Sequence, residues 1–353
     1  MSIKSNKVAN IKFGLDTFGD IPSKENGELF THAAAIRQVV KEATVADKTG
    51  VDYFGVGEHH RSDFSISSPE IVLSAIAAKT KNIKLATAVT VLSSDDPVRV
   101  FERFATLDAL SNGRAQVILG RGSFTESFPL FGYDLRDYNE LFEEKVELFH
   151  KLLDEKPVNW SGNTRPSLKN ADVYPKTESG RLDVAIGVGG SPESVIRAAK
   201  YGFQIVFAII GGSPARFAPY TELYKHAAED LGTPTLPIGV HSPGFIAETD
   251  EEAQEIAWPN FKKLWDAVGK TRGWAPYGYD QFKYEVAEGS LYVGSPETVA
   301  QKIAKTIKTL GAERFDIVYG GGNVPAEARL KMIELYGTKV IPRVKELLKT
   351  GDY

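Results

Sequence analysis

A chain of 353 residues, 42% hydrophobic and 25% charged, has the make-up of a soluble globular protein and can bury roughly 75% of its unfolded surface without staples. Lys and Arg total 42 against 46 Asp and Glu, a net charge of −4, so no basic surface for nucleic acid is implied. No cysteine is present, which excludes disulfides, thiolate metal sites and a cysteine nucleophile. The N-terminal segment has no apolar run of signal-peptide length. The longest low-charge apolar stretch, 203–215, contains Gly211 and Gly212 and is too short to span a bilayer. The expectation is a soluble, cytoplasmic protein that binds neither membrane nor nucleic acid.

In chain order, short β-branched or aliphatic runs alternate with amphipathic segments. Strands are predicted at 11–18, 53–58, 83–91, 114–122, 182–189, 203–210, 236–247 and 314–320, each followed by a helical pattern. After Pro97, the residues Val100, Phe101, Phe104, Leu107 and Leu110 make the stripe of a buried helix face that ends at Asn112-Gly113. Ser68-Pro69-Glu70, Ser191-Pro192-Glu193 and Ser295-Pro296-Glu297 each supply a capping hydroxyl, a proline at the first helical position and an acid at the positive end of the dipole. Eight β-then-α units predict an α/β fold, a (β/α)8 TIM barrel forming one domain over 1–353. Insertions fall near 154–181 and 250–292, and the aromatic, glycine-rich stretch 270–292 is a candidate cover for a site. The rival architecture is an open doubly wound sheet, but no G-x-G-x-x-G follows the first strand.

In a barrel, chemistry sits at the carboxyl ends of the strands. The second strand runs into Glu58-His59-His60-Arg61; an imidazole there suits a general base or a hydrogen-bond donor to an anion, or a structural histidine satisfied by a carboxylate. No third ligand stands at metal-binding spacing. The fourth strand ends in Gly120-Arg121-Gly122-Ser123, where glycines allow close approach and the guanidinium suits phosphate; a rim ion pair is the alternative. The fifth runs through Gly187-Val188-Gly189-Gly190-Ser191 into a capped helix bearing Ser194, a candidate anion cradle. Gly211-Gly212 and Gly320-Gly321-Gly322 are rival loops. Thr87-Ala88-Val89 on the third strand offers either a flat floor for a planar ring or plain core packing.

Taken together, YFGVGEHHRSDF (53–64), the block 84–134 with its ordered D-x-L-S-x-G-R and G-R-G, VAIGVGGSPESVIRAAKYG (184–202) and MIELYGTKVIP (332–342) resemble the bacterial luciferase-like flavin monooxygenases. The resemblance implies a (β/α)8 barrel with reduced FMN as co-substrate, dioxygen, a small organic substrate, a separate flavin reductase and a homodimer. It places His59 at the catalytic base and Ala88–Val89 at a non-prolyl cis peptide beneath the flavin ring. It places Arg121, Gly189, Gly190, Ser191 and Ser194 around the phosphate. It also places Gly120 where luciferase carries a reactive cysteine, which argues against light emission. The alternatives are a deazaflavin-dependent hydride-transfer oxidoreductase on the same phosphate site, and a non-catalytic flavin-binding protein.

Overall fold

The computed structural model describes residues 5–353 except Ser123 and Trp274. The two residues belong to the fourth-strand turn and the candidate cover, so those parts of the expectation lie outside the described residues. Eight strands occupy the predicted places: β1 (Lys12–Thr17), β2 (Tyr53–Val56), β3 (Lys84–Thr87), β4 (Ala115–Gly120), β5 (Asp183–Val188), β6 (Gln204–Ala208), β7 (Ile238–Ile246) and β8 (Arg314–Val318). They pair in parallel and in sequence, and β8 pairs with β1. The sheet therefore closes on itself. Closure leaves no open sheet and decides between the two architectures.

The alternation of side chains builds two different interiors. Outward residues such as Phe13 and Leu15 on β1, Phe54 on β2 and Ile317 on β8 are fully buried beneath the helices and join the main apolar core. Each contributes about 1.5–3 kcal/mol by leaving water. Inward residues are small or polar. Ala86, Ile118, Ala185 and Val206 form a separate cluster inside the barrel. Below it, Arg314 donates to Asp316 (2.9 Å) and to Gln116 (2.6 Å), with its guanidinium 3.8 Å from the centre of the Tyr53 ring. Because cations and carboxylates are costly to bury alone, this plug is a paired set.

Helix α1 (Pro97–Ser111) buries Val100, Phe101, Phe104 and Leu107 and stops at Asn112, φ 54°. Leu110 departs from expectation, with 59% of its surface exposed: it stands at the edge of the stripe, one turn from the end. The helix is capped by Asp96, whose carboxylate accepts from the N–H groups of Val98 and Arg99. Helix α2 (Tyr138–Leu152) precedes an antiparallel hairpin, Val158–Trp160 with Leu168–Ala171, that fills the first insertion. Ser191 and Ser295 cap as predicted, accepting from the N–H groups of Ser194 and Thr298. Ser68 does not, because its backbone (φ −132°, ψ 75°) turns the hydroxyl away and no cap bond forms. Helix α3 (Pro192–Tyr201) follows the β5 turn. The second insertion is mostly two helices, α4 (Asp250–Arg272) and α5 (Tyr279–Ala287). Among the described residues no helix is long and apolar enough to cross a membrane.

Candidate active site

A cavity of about 550 Å³ opens at the carboxyl ends of the barrel strands, inside the size range of small-molecule sites. One wall is Ala88, Val89, Gly120 and Gly187, where the chain comes closest to a flat surface. The peptide Ala88–Val89 is cis, as the resemblance implies. Val89 takes the space that a side chain at position 120 would need: a Cβ on Gly120 would overlap Val89 Cγ2, and one on Gly187 would lie 3.1 Å from Val89 Cγ1. The opposite wall is apolar and comes from α4, through Phe261, Leu264, Trp265 and Val268. Among the described residues, the second insertion meets the cavity through this helix. Tyr277 lies behind it, its ring stacked on Trp265 (5.7 Å, 14°) and its N–H bonded to Asp266 (2.9 Å).

One end of the cavity gathers a guanidinium, two hydroxyls and a helix N-terminus. The Arg121 guanidinium is bonded to Asn139 (3.0 Å), lies 3.5 Å from the Ser194 hydroxyl and covers the Tyr138 ring. The hydroxyls of Ser191 and Ser194 are 3.1 Å apart at the N-terminus of α3, and Gly189 carries open space where a Cβ would stand. Helix N-termini attract negative charge. The exposed Glu193 shows this: hydrogen bonds to its own N–H and to Ser191, with Arg197 and Arg121 nearby, hold its carboxyl below the ordinary range. The rival glycine loops have carboxylates of their own. Gly212 N–H donates to Glu285 (2.8 Å), and Gly322 N–H to Asp20 (2.9 Å). Neither is an equivalent cradle.

The histidines separate sharply. His59 is wedged among aromatic rings, 4.3 Å from Phe64 and 4.9 Å from Phe18, and among the described residues its Nδ1 has no hydrogen-bond partner. Burial pushes its pKa down to about 3, so the imidazole is neutral at ordinary pH. It lines a small adjoining space of about 60 Å³ that shares Phe18, Ala88 and Val89 with the main cavity. His60 pairs with Glu58 (2.9 Å), whose other oxygen accepts the Val91 N–H (2.8 Å). It therefore helps fix the strand-3 wall. On β7, His241 lines the main cavity and its Nδ1 meets the buried Asp16 carboxylate of β1 at 2.5 Å.

The structure thus brings Ala88, Val89, Arg121, Gly189, Gly190, Ser191 and Ser194 to one cavity and sets His59 in the chamber beside it. Asp16, Phe18, His241 and the α4 wall were not foreseen. A signal was present: ionisable residues at inward positions of apolar parallel strands need a partner or a task.

The luciferase-like monooxygenase family matches residues 17–314. An N-acetyl-S-alkylcysteine monooxygenase of Bacillus subtilis is 33% identical over 52% of this chain and 53% of its own. Two solved structures share the fold. The oxygenating constituent of 3,6-diketocamphane monooxygenase from Pseudomonas putida, a type II Baeyer–Villiger enzyme in complex with FMN, has a TM-score of 0.74 at 20% identity, covering 94% of this chain and 98% of that one. The coenzyme F420-dependent tetrahydromethanopterin reductase of Methanopyrus kandleri has a TM-score of 0.70 at 20% identity, covering 94% and 99%. With the closed barrel and a cavity at its strand ends, the match places this chain, an enzyme, in the luciferase-like monooxygenase family.

Proposed function

We propose that the protein is an FMN-dependent monooxygenase that takes reduced flavin as a co-substrate and uses dioxygen on a small organic substrate. The observation that carries this reading is the anion cradle of Arg121, Ser191 and Ser194 at one end of a cavity whose remaining lining is apolar apart from Arg216 and His241. A phosphate fits the cradle, and a planar ring fits between Ala88–Val89 and the α4 wall. When bound, reduced flavin supplies the electrons that activate dioxygen, chemistry that belongs to the cofactor. This chain supplies the rest. Arg121, Gly189, Gly190, Ser191 and Ser194 hold the phosphate, Ala88 and Val89 support the ring, and Trp265 with its neighbours excludes water. His59 stands behind the ring wall as a neutral imidazole, the proposed catalytic group at that position. Dioxygen, a separate reductase, a homodimer and a cytoplasmic location enter as the resemblance implies them, and one continuous apolar core running from Val8 to Leu348 supports a single domain.

Coenzyme F420 is the second reading, favoured by the fold shared with an F420-dependent reductase and by a cradle that reads a phosphate rather than a ring. Arg121→Ala tests the site in either case. A charge-assisted hydrogen bond is worth about 1.5–3 kcal/mol, so FMN affinity should fall about 10- to 100-fold while riboflavin affinity stays nearly constant. Equal losses for the two ligands would remove the phosphate assignment.

A further inference from the structure

Buried beneath the cavity floor are two carboxylates, Asp16 and Asp316, and one guanidinium, Arg314. Arg314 grips Asp316 through Nε–Oδ1 (2.9 Å) and Nη2–Oδ2 (2.6 Å). Asp16 is left with His241: Oδ2 meets Nδ1 at 2.5 Å, and Oδ1 has no partner. The carboxylate therefore fixes the ring's orientation and selects a protonated Nδ1. Nε2 makes no hydrogen bond to any described residue, and the side chain lines the cavity. A histidine kept only for structure would have both nitrogens satisfied. This one is oriented from below and open above, the arrangement in which a carboxylate holds an imidazole for proton transfer.

The neighbouring histidine makes the contrast. Phe18 lies between the two imidazoles, 4.9 Å from His59 and 5.7 Å from His241, stacked on the latter. His59 has no carboxylate bonded to it and no place on the main cavity wall. The wall around His241 is otherwise apolar, with Phe18, Pro243, Val318 and Val206.

We propose that Asp16–His241 is a proton-handling pair of this enzyme distinct from His59, and that the substrate is a neutral, mostly apolar molecule with one hydroxyl or carbonyl oxygen resting on His241 Nε2. In the transfer, His241 acts from its imidazolium form, which the Asp16 carboxylate stabilises: the Nε2–H bond breaks, an O–H bond forms on the substrate oxygen, and the neutral ring keeps its Nδ1–H toward Asp16. Asp16 remains a carboxylate, and no electrons move in this step. The proposal rests on the reading of the cavity as the enzyme's active site and is independent of which flavin binds there.

Cyclohexanone and methylcyclohexane serve as probes with similar apolar bodies, only one of which carries the oxygen. Binding is followed by imidazole ¹⁵N shifts and by calorimetry in wild type, His241→Ala, His241→Gln and Asp16→Asn. Cyclohexanone should perturb His241 Nε2 and leave His59 unmoved. Its affinity should fall about 3- to 10-fold in His241→Ala and Asp16→Asn, recover in part in His241→Gln, and methylcyclohexane affinity should hold throughout. Equal losses for both probes, no loss for cyclohexanone, or no cyclohexanone binding to wild type would overturn the proposal. FMN titration of the same proteins separates the two claims: FMN failing to bind wild type refutes the flavin reading, while the split between the probes still scores the dyad.

Discussion

At position 89 the chain carries a β-branched residue on the cavity wall, and the structure shows what makes room for it. Gly120 and Gly187 flank Val89 and leave the space its methyls fill. Val89 and the bare positions 120 and 187 thus share one volume, so a side chain added at 120 competes with the Val89 methyls. Overpacking costs about 1–3 kcal/mol, so Gly120→Ala should destabilise by that much in urea denaturation. Val89→Ala should relieve most of it, with a coupling of at least about 1 kcal/mol in the double-mutant cycle; strictly additive effects would show that the two positions do not compete. His59 makes a second prediction. Its pKa is pushed from an ordinary 6.5 to about 3 by burial, so between those values the unfolded chain holds a proton that the folded one does not. Stability must then be lost as pH falls below about 6.5, by about 1.4 kcal/mol per unit. His59→Phe should shed about 2 kcal/mol of the wild-type loss between pH 6.5 and 5, read from melting at each pH. Parallel profiles for the two proteins would mean that His59 is protonated in the fold.

At the scale of elements, the strands were legible because most are short apolar runs closed by glycine, and all eight formed where the sequence put them. The caps were less so. Ser191 and Ser295 bond as their spacing demands, whereas Ser68 shares the same triplet and fails because the preceding chain fixes its dihedrals. The glycines and aromatics of 270–292 mark it as a candidate cover, while the cavity wall from the second insertion is α4, whose apolar face the local sequence hides behind charged neighbours. The cavity also depends on how α5 is tied down. The Glu285 carboxylate accepts the N–H groups of Gly212 (2.8 Å) and Ser290 (2.9 Å), joining α5 to the loop after β6. Glu285→Ala leaves those donors unpaired, at about 1–3 kcal/mol. Faster amide exchange at Gly212 and Ser290 is the expected readout, and unchanged protection would place the restraint elsewhere.

At the scale of the whole molecule, the glycines, serines and Arg121 that meet at one cavity could be picked out of the sequence because backbone and charge patterns are local. The Asp16–His241 pair could not. Its partners stand on β1 and β7 and meet only when β8 closes the barrel between them. The same closure puts the strand-end wall of β3 to β5 and the apolar residues of α4 around one cavity. Whether that shape serves reduced FMN is decided by anaerobic titration of the purified protein with reduced FMN, oxidised FMN and reduced F420, followed by admission of dioxygen. Tightest binding of reduced FMN, with oxygen consumed only after it binds, is the expected result. Preferential binding of F420, with no oxygen uptake, would contradict the monooxygenase account and establish hydride transfer in its place.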